Sequence, residues 1–492
     1  MRPRMVLLSA VLLGVLLWAA PANAGTAVPP VSWCGATEEL AKDRPDTVNG
    51  LQIHIVYAYA NDTPNRFPTL ASGIATDISA IAAWWQLRDP TRLLRFDLAA
   101  FAGCTTTYGA LDITVVQLPR TGAEYQANAT TVTRVSDDLN AMGYGDPDKK
   151  TLVYYDGPFD NPTNCGKGVT GQIDGGKNGY AVIFLAACSA NVGTGLGDVA
   201  LTVAHELIHA LNALPVPFPE PGPPNACRLS QGGAEDLGHP CDSPTDIMFP
   251  TGSPTDTFGS QVLDLNNDDY YGHPFAWWDV QDSFFLIRLD SPDTTPPTGP
   301  AAKKVTATSV KRVVTFKWPK AGGGGILGYR VYVNGNLFQT SNDKFFSTKK
   351  RKIAIGDKRI IPKPKRIVTL GVRAIDTSGN LGSLETIRFR VGVGIVNEKG
   401  KLIKDTVPPS SPKLKPSQVL ASGLQIRWNK AADIGGKVKS YRLERNKRTF
   451  AVVSAKARSI IVPFDKARGT WTVRAIDRAK NISPRTQSLT IR

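Results

Sequence analysis

The spacing of apolar residues divides the chain into two textures. Residues 51–60 (LQIHIVYAYA) form a near-continuous apolar run rich in β-branched and aromatic side chains, which predicts a buried strand. Leu70, Ile74, Ile78 and Ile81 recur on one helical face and predict an amphipathic helix over 70–88. Strand-like runs follow at 111–118 (LDITVVQL), 151–155 (TLVYY) and 180–186 (YAVIFLA), with a helix expected near 124–142. This order predicts a mixed α/β fold, an α+β arrangement with one mixed sheet. A further helix is expected over 198–214, opened by a Gly-Asp pair and closed by Pro215. Residues 215–300 are dense in Pro, Gly and Asp and predict long loops, which in a compact domain are usually functional or pinned by cross-links.

From residue 293 the pattern changes to short β-rich runs and then repeats. Asp293-TTPP matches Asp405-TVPP, and the run ending at Trp318 matches the one ending at Trp428. YRVYVNG from Tyr329 matches YRLERNK from Tyr441, and VRAIDTSGN from Val372 matches VRAIDRAKN from Val473. A Trp strand, a Tyr strand and turn signals between them are what an all-β sandwich requires. The two copies resemble fibronectin type III domains, which implies immunoglobulin-like sandwiches joined by stiff Pro-Pro linkers. The expected organisation is 1–24, 25–292, 293–404 and 405–492.

Charge separates the same two parts. Of 492 residues, 1–300 carry 16 basic and 32 acidic side chains, whereas 301–492 carry 42 basic and 10 acidic. The basic part is expected to meet an anionic surface such as a cell-wall polymer or acidic glycan, or to be attracted to the acidic part of its own chain. It carries no motif for sequence-specific nucleic-acid binding.

Arg2 and Arg4, the apolar run 5–20 and the small-x-small sequence Ala22-Asn23-Ala24 read as an export signal cut after Ala24. No later segment is apolar enough over its length to span a bilayer. The expected location is extracellular, with retention at a cell wall. All six cysteines (Cys34, Cys104, Cys165, Cys188, Cys227, Cys241) precede residue 242, and export makes disulfides their expected state. Six cysteines allow 15 pairings; the simplest set joins sequence neighbours.

The chemistry concentrates in His205-Glu206-Leu207-Ile208-His209 on the helix over 198–214. Residues four apart share a helix face, so His205 and His209 can direct two imidazoles at one cation with Glu206 beside them. A catalytic zinc takes three protein ligands and keeps one position open. The motif resembles that of metzincin zinc peptidases, H-E-x-x-H-x-x-G-x-x-H, but Asn212 stands at the Gly place and Pro215 at the third-ligand place. The third ligand must therefore come from further along.

His239 is the leading candidate, because a disulfide at Cys241 could fix its loop; Asp242 and Asp236 are alternatives, and Glu235 would serve in a thermolysin-like arrangement. Asp246-Ile247-Met248 resembles the methionine turn beneath the metal in metzincins. By the same resemblance Tyr270, Tyr271 and His273 are candidates to stabilise a developing oxyanion. The run Asp264, Asn266, Asn267, Asp268 and Asp269 could hold calcium, although it lacks the spacing of a recognised calcium loop.

The expected activity is zinc-dependent hydrolysis of peptide bonds in a protein or peptide, with Glu206 as general base. A zinc hydrolase of cell-wall peptides and a non-enzymatic adhesin on a degenerate scaffold are the other readings.

Overall fold

The computed structural model describes residues 42–103, 109–127, 131–160, 164–169, 179–188, 191–195, 197–215, 222–227, 238–250, 258–291, 293–310, 312–338, 348–485 and 487–492. The expected export signal, Cys34, Cys104, Glu235 and Asp236 lie outside the described residues.

A five-stranded sheet forms the frame of the first domain. Its strands are β1 (Gln52–Tyr59), β2 (Ile113–Gln117), β3 (Lys149–Asp156), β4 (Gly166–Val169) and β5 (Tyr180–Phe184), in the order β2-β1-β3-β5-β4. The first four strands in that order run parallel, and β4 pairs antiparallel with β5 at the edge. Both faces of β1 are buried, which is why its sequence is nearly continuously apolar rather than alternating, with Gln52 and His54 as its polar side chains. Ile53, Ile55 and Tyr57 face the core that holds helix α1 (Phe67–Arg88), while Val56 and Ala58 face helix α2 (Thr131–Leu139).

Helix α3 (Asp198–Ala210) packs beside α1, contributing Val199, Val203, Leu207 and Ile208 to the same core. It stops at Ala210, four residues short of the expected end. Ala213 N–H reaches back to the Ile208 carbonyl at 3.2 Å, and Asn212 takes the left-handed conformation with φ 73°. The helix expected near 124–142 is instead broken into Gly122–Gln126, α2 and a wide turn Asn140–Tyr144 that contains Gly143 at φ 105°. The loops after 215 are not wholly irregular, since Leu286–Arg288 pairs antiparallel with Arg92–Leu94.

Two β-sandwiches resembling fibronectin III domains follow. The first faces the three-stranded sheet Thr306–Val310, Val313–Lys317, Lys352–Ile355 against a six-stranded sheet that includes Ile326–Val333 and Ile367–Asp376. The second faces Leu414–Leu420, Gly423–Trp428 and Ser459–Val462 against a four-stranded sheet containing Val438–Arg445 and Gly469–Asp477. The sequence repeat has one physical basis in both copies. Trp318 and Trp428 are buried against Tyr329 and Tyr441 with ring centroids 5.7 Å apart, and the Tyr hydroxyls accept the N–H groups of Ala321 and Ala431 at 3.0 Å. Asn380 and Asn481, at the end of each A-I-D-x-x-x-N turn, donate to the carbonyls of Asp293 and Asp405 in the linkers.

The first sandwich is docked on the first domain. Asp148 accepts Arg330 Nε at 2.9 Å, Arg373 Nη1 at 2.8 Å and the Tyr332 hydroxyl at 2.7 Å, and Arg330 is fully buried. Asn49 and Leu381 exchange two hydrogen bonds, and Leu381 and Ile375 join the apolar core of the first domain. This contact pairs an acidic side chain of the first domain with two basic side chains of the sandwich. Among the described residues no helix is long and apolar enough to cross a membrane.

Candidate metal centre

The apolar side of α3 is spent on the core, which leaves His205, Glu206 and His209 toward strand β4 and the loops that follow the helix. The rings of His205 and His209 lie 4.9 Å apart, as expected for residues one turn apart on one face. His239 meets both. Its Nε2 is 3.2 Å from His205 Nε2 and 3.1 Å from His209 Nε2.

A short ribbon delivers His239. Cys227 N–H donates to the His239 carbonyl at 2.8 Å, Cys241 N–H donates to the Asn225 carbonyl at 2.8 Å, and Cys227 is bonded to Cys241. Cys165 and Cys188 form a second disulfide, next to β4 and after β5. Two disulfides are compatible with an extracellular protein.

The three nitrogens suit a divalent cation better than they suit one another. His205 Nδ1 lies 2.6 Å from the Ile247 carbonyl, a contact that only an N–H can make, so in the neutral ring Nε2 carries a lone pair. Burial, with the neighbouring imidazoles adding to it, holds His205 down to about 4 and His209 well below the ordinary histidine range. A single N–H on His239 Nε2 could serve only one of its two neighbours. One cation serves all three, and zinc–nitrogen bonds of about 2.0–2.1 Å in tetrahedral geometry imply nitrogen separations of roughly 3.3–3.4 Å. The observed 3.1 and 3.2 Å fit that edge.

Glu206 is also buried, and its carboxylate accepts the Gly168 N–H of strand β4. Burial pushes its carboxyl up to about 8, against the pull of that N–H and of Lys167. A neighbouring dication would pull in the same direction as these two. Strand β4 can lie on the helix because Gly166 and Gly168 alternate on the side that faces it. A Cβ on Gly166 would meet Thr202 and Glu206, and one on Gly168 would meet His209 and the backbone of Glu206.

The methionine segment sits beneath the cluster. Phe249 N–H closes a turn onto the Asp246 carbonyl, Met248 is fully buried in the core shared with α3, and the Ile247 carbonyl is the group that orients His205. Asp246 ties the turn down, accepting Met248 N–H, Leu265 N–H and the Tyr270 hydroxyl, each at 2.8 Å.

Other expected residues are engaged elsewhere. Tyr270 bonds Asp246, Tyr271 donates to Asp89 at 2.7 Å, and His273 donates to the Trp278 carbonyl at 3.1 Å; all three are buried. Their polar atoms are bound within the fold. Asp242 gathers with Asp268 and Asp269 rather than with the imidazoles, so it is not the third ligand that the cluster presents. Gly166 and Gly168 were not singled out from the sequence, and Asp246 was read only as part of the methionine turn. Their signals were alternate glycines in a strand pattern, and an Asp placed to accept an N–H two residues on.

No family model matches the chain, and no curated protein matches it. Solved structures similar in part include three fibronectin domains of chicken CNTN1, 15% identical over 42% of this chain and 67% of that one, with a TM-score of 0.24. The fibronectin(III)-like modules of Clostridium thermocellum CbhA are 12% identical over 39% of this chain and 90% of theirs, with a TM-score of 0.23. The Clostridium perfringens spore cortex lytic enzyme SleM is 17% identical over 17% of this chain, with a TM-score of 0.15, and the match spans 29% of SleM. The sandwich assignment rests on strand order and on the repeated Trp–Tyr pairs.

Proposed function

We propose that this protein is a secreted zinc-dependent endopeptidase whose basic sandwiches retain it on an anionic polymer. The observation that carries the reading is the meeting of His205, His209 and His239 through ring nitrogens 3.1–3.2 Å apart, with the carboxylate of Glu206 on the adjoining turn. Zinc held by these imidazoles would supply Lewis acidity toward the scissile carbonyl and make water acidic enough to react near neutrality.

The remaining steps belong to the chain. Ile247 fixes the His205 tautomer, so its Nε2 is presented unprotonated. Glu206 accepts a proton from the attacking water and returns it to the leaving amine, and the Gly168 N–H holds one of its oxygens while this happens. The disulfide-closed ribbon keeps His239 in place through the cycle.

Zinc content and casein cleavage of wild type, Glu206→Ala and His239→Ala test the reading. The expected result is about one zinc per chain, retained without activity in Glu206→Ala and weakened in His239→Ala. Casein cleavage that survives Glu206→Ala would overturn it.

Exposed Lys349, Lys350, Arg351, Lys352, Lys447 and Arg448 support the retention role. Binding to a polyanion that falls steeply with added salt is expected, and salt-independent binding would refute that part.

A further inference from the structure

Three carboxylates meet beside the ribbon that carries His239. Asp242 lies three residues beyond His239, Asp268 and Asp269 come from the turn after the methionine segment, and each places an oxygen within 4.8 Å of the other two. Asp269 is 1% exposed. Its Oδ1 accepts the Asn225 N–H at 3.0 Å, and its Oδ2 is buried with no hydrogen-bond partner among the described residues.

The calcium run expected from the sequence is thus redistributed. Asp264 turns its carboxylate onto the N–H groups of Tyr270 and Tyr271 at 2.6 and 2.5 Å, and Asn267 donates to the Tyr271 carbonyl. Asp268 and Asp269 face Asp242 instead.

Three oxygens spread evenly round a calcium ion at about 2.3–2.6 Å stand roughly 4.0–4.5 Å apart, and a spacing within 4.8 Å brings these three near that arrangement. An all-carboxylate set drawn from two separate segments suits calcium's flexible coordination rather than a nitrogen-seeking metal. The Asn225 side chain donates to both Asp268 oxygens at 3.2 and 3.3 Å, and turning its amide would present a further oxygen. Asn225 opens one arm of the His239 ribbon and Asp242 follows the other, so a cation here grips both arms.

We propose that Asp242, Asp268 and Asp269 bind one calcium ion, and that this ion fixes the ribbon 225–227/239–241 and with it the His239 imidazole. The importance of that imidazole rests on the zinc reading, whereas the calcium site itself does not.

The test uses the full chain, passed over a chelating resin and left free of zinc. Calcium at about 100-fold over its dissociation constant should raise the melting midpoint by roughly 5–10 °C, and magnesium at the same concentration should not. Hydrogen exchange at the Cys227 and Cys241 amides, which close the ribbon, should slow about 10-fold or more with calcium. Asp242→Asn combined with Asp268→Asn should abolish both effects. Without calcium this variant should melt no lower than wild type, because two repelling charges are gone. No calcium-dependent rise in wild type, or a rise that the double variant keeps, overturns the site. A rise without slower exchange at the two amides overturns the clamp. Failure of the zinc reading would show separately, as an absence of zinc uptake by a chain that still responds to calcium.

Discussion

Replacing Gly168 by Ala isolates the hydrogen bond that orients Glu206. The new Cβ would stand 2.5 Å from His209 Cβ and 2.8 Å from the Glu206 carbonyl oxygen, both rigid parts of α3. The helix is anchored by Val203, Leu207 and Ile208 in the core, while β4 has one paired neighbour, so the strand yields. As it moves off, its N–H leaves the Glu206 carboxylate. A hydrogen bond to a charged group contributes about 1.5–3 kcal/mol, and each 1.36 kcal/mol is about tenfold in rate. The expected loss in kcat/KM on casein or a fluorogenic peptide is therefore roughly 10- to 150-fold. Zinc content should stay at the wild-type level, because the imidazoles belong to the helix and the ribbon. Activity within about threefold of wild type would refute the orienting role of Gly168, and loss of zinc would show that the helix rather than the strand had moved.

Arg330→Ala leaves Asp148 short of one buried cation; removing one partner of such a pair costs about 3–5 kcal/mol. It should lower the melting midpoint and expose the linker near residue 293 to protease, whereas unchanged cleavage there would show that the ion pair does not hold the sandwich. Burial raises Asp77 to about 6 from an ordinary 3.8, with the N–H groups of Gly193 and Gly195 pulling the other way. Its contribution is fully present below 3.8 and is lost as pH rises through 6, a span worth on the order of 3 kcal/mol. Denaturation at pH 5 and 7.5 should therefore show wild type losing stability relative to Asp77→Asn as pH rises; parallel profiles would contradict the assignment. Replacing both Cys227 and Cys241 by Ser opens a loop of 14 residues, with a loss of about 3 kcal/mol. Weaker zinc binding in chelator competition is expected, and unchanged affinity would mean that the ribbon holds His239 without its cross-link.

The strands, α1 and the duplicated sandwiches were legible because their cores impose periodic patterns that leave few alternatives. Trp318, Tyr329 and their counterparts Trp428 and Tyr441 repeat because each Tyr hydroxyl caps the same backbone N–H. The histidine pair was legible because one helical turn fixes its spacing. His239 could be nominated but not ranked decisively above Asp242, since its arrival depends on a ribbon pairing that crosses 30 residues from His209. The Ile247 carbonyl was invisible, because a backbone acceptor leaves no residue-type signature. The partners of Tyr270, Tyr271 and His273 were not legible, because polar aromatics look alike in sequence whether they face a cleft or brace the loops beneath it. The helix expected near 124–142 is interrupted at Ala127, whose ψ of 135° is extended, and the chain after α2 turns at Gly143 with φ 105°, conformations that an apolar pattern does not anticipate.

Leu381 and Ile375 belong by sequence to the first duplicated module, yet they complete the interior of the first domain. A fragment that keeps this interior closed therefore has to run to about Lys404, and a truncation at Asp293 would uncover an apolar wall. The two similar copies thus differ: one has been absorbed as masonry for its neighbour, while the other keeps its core to itself.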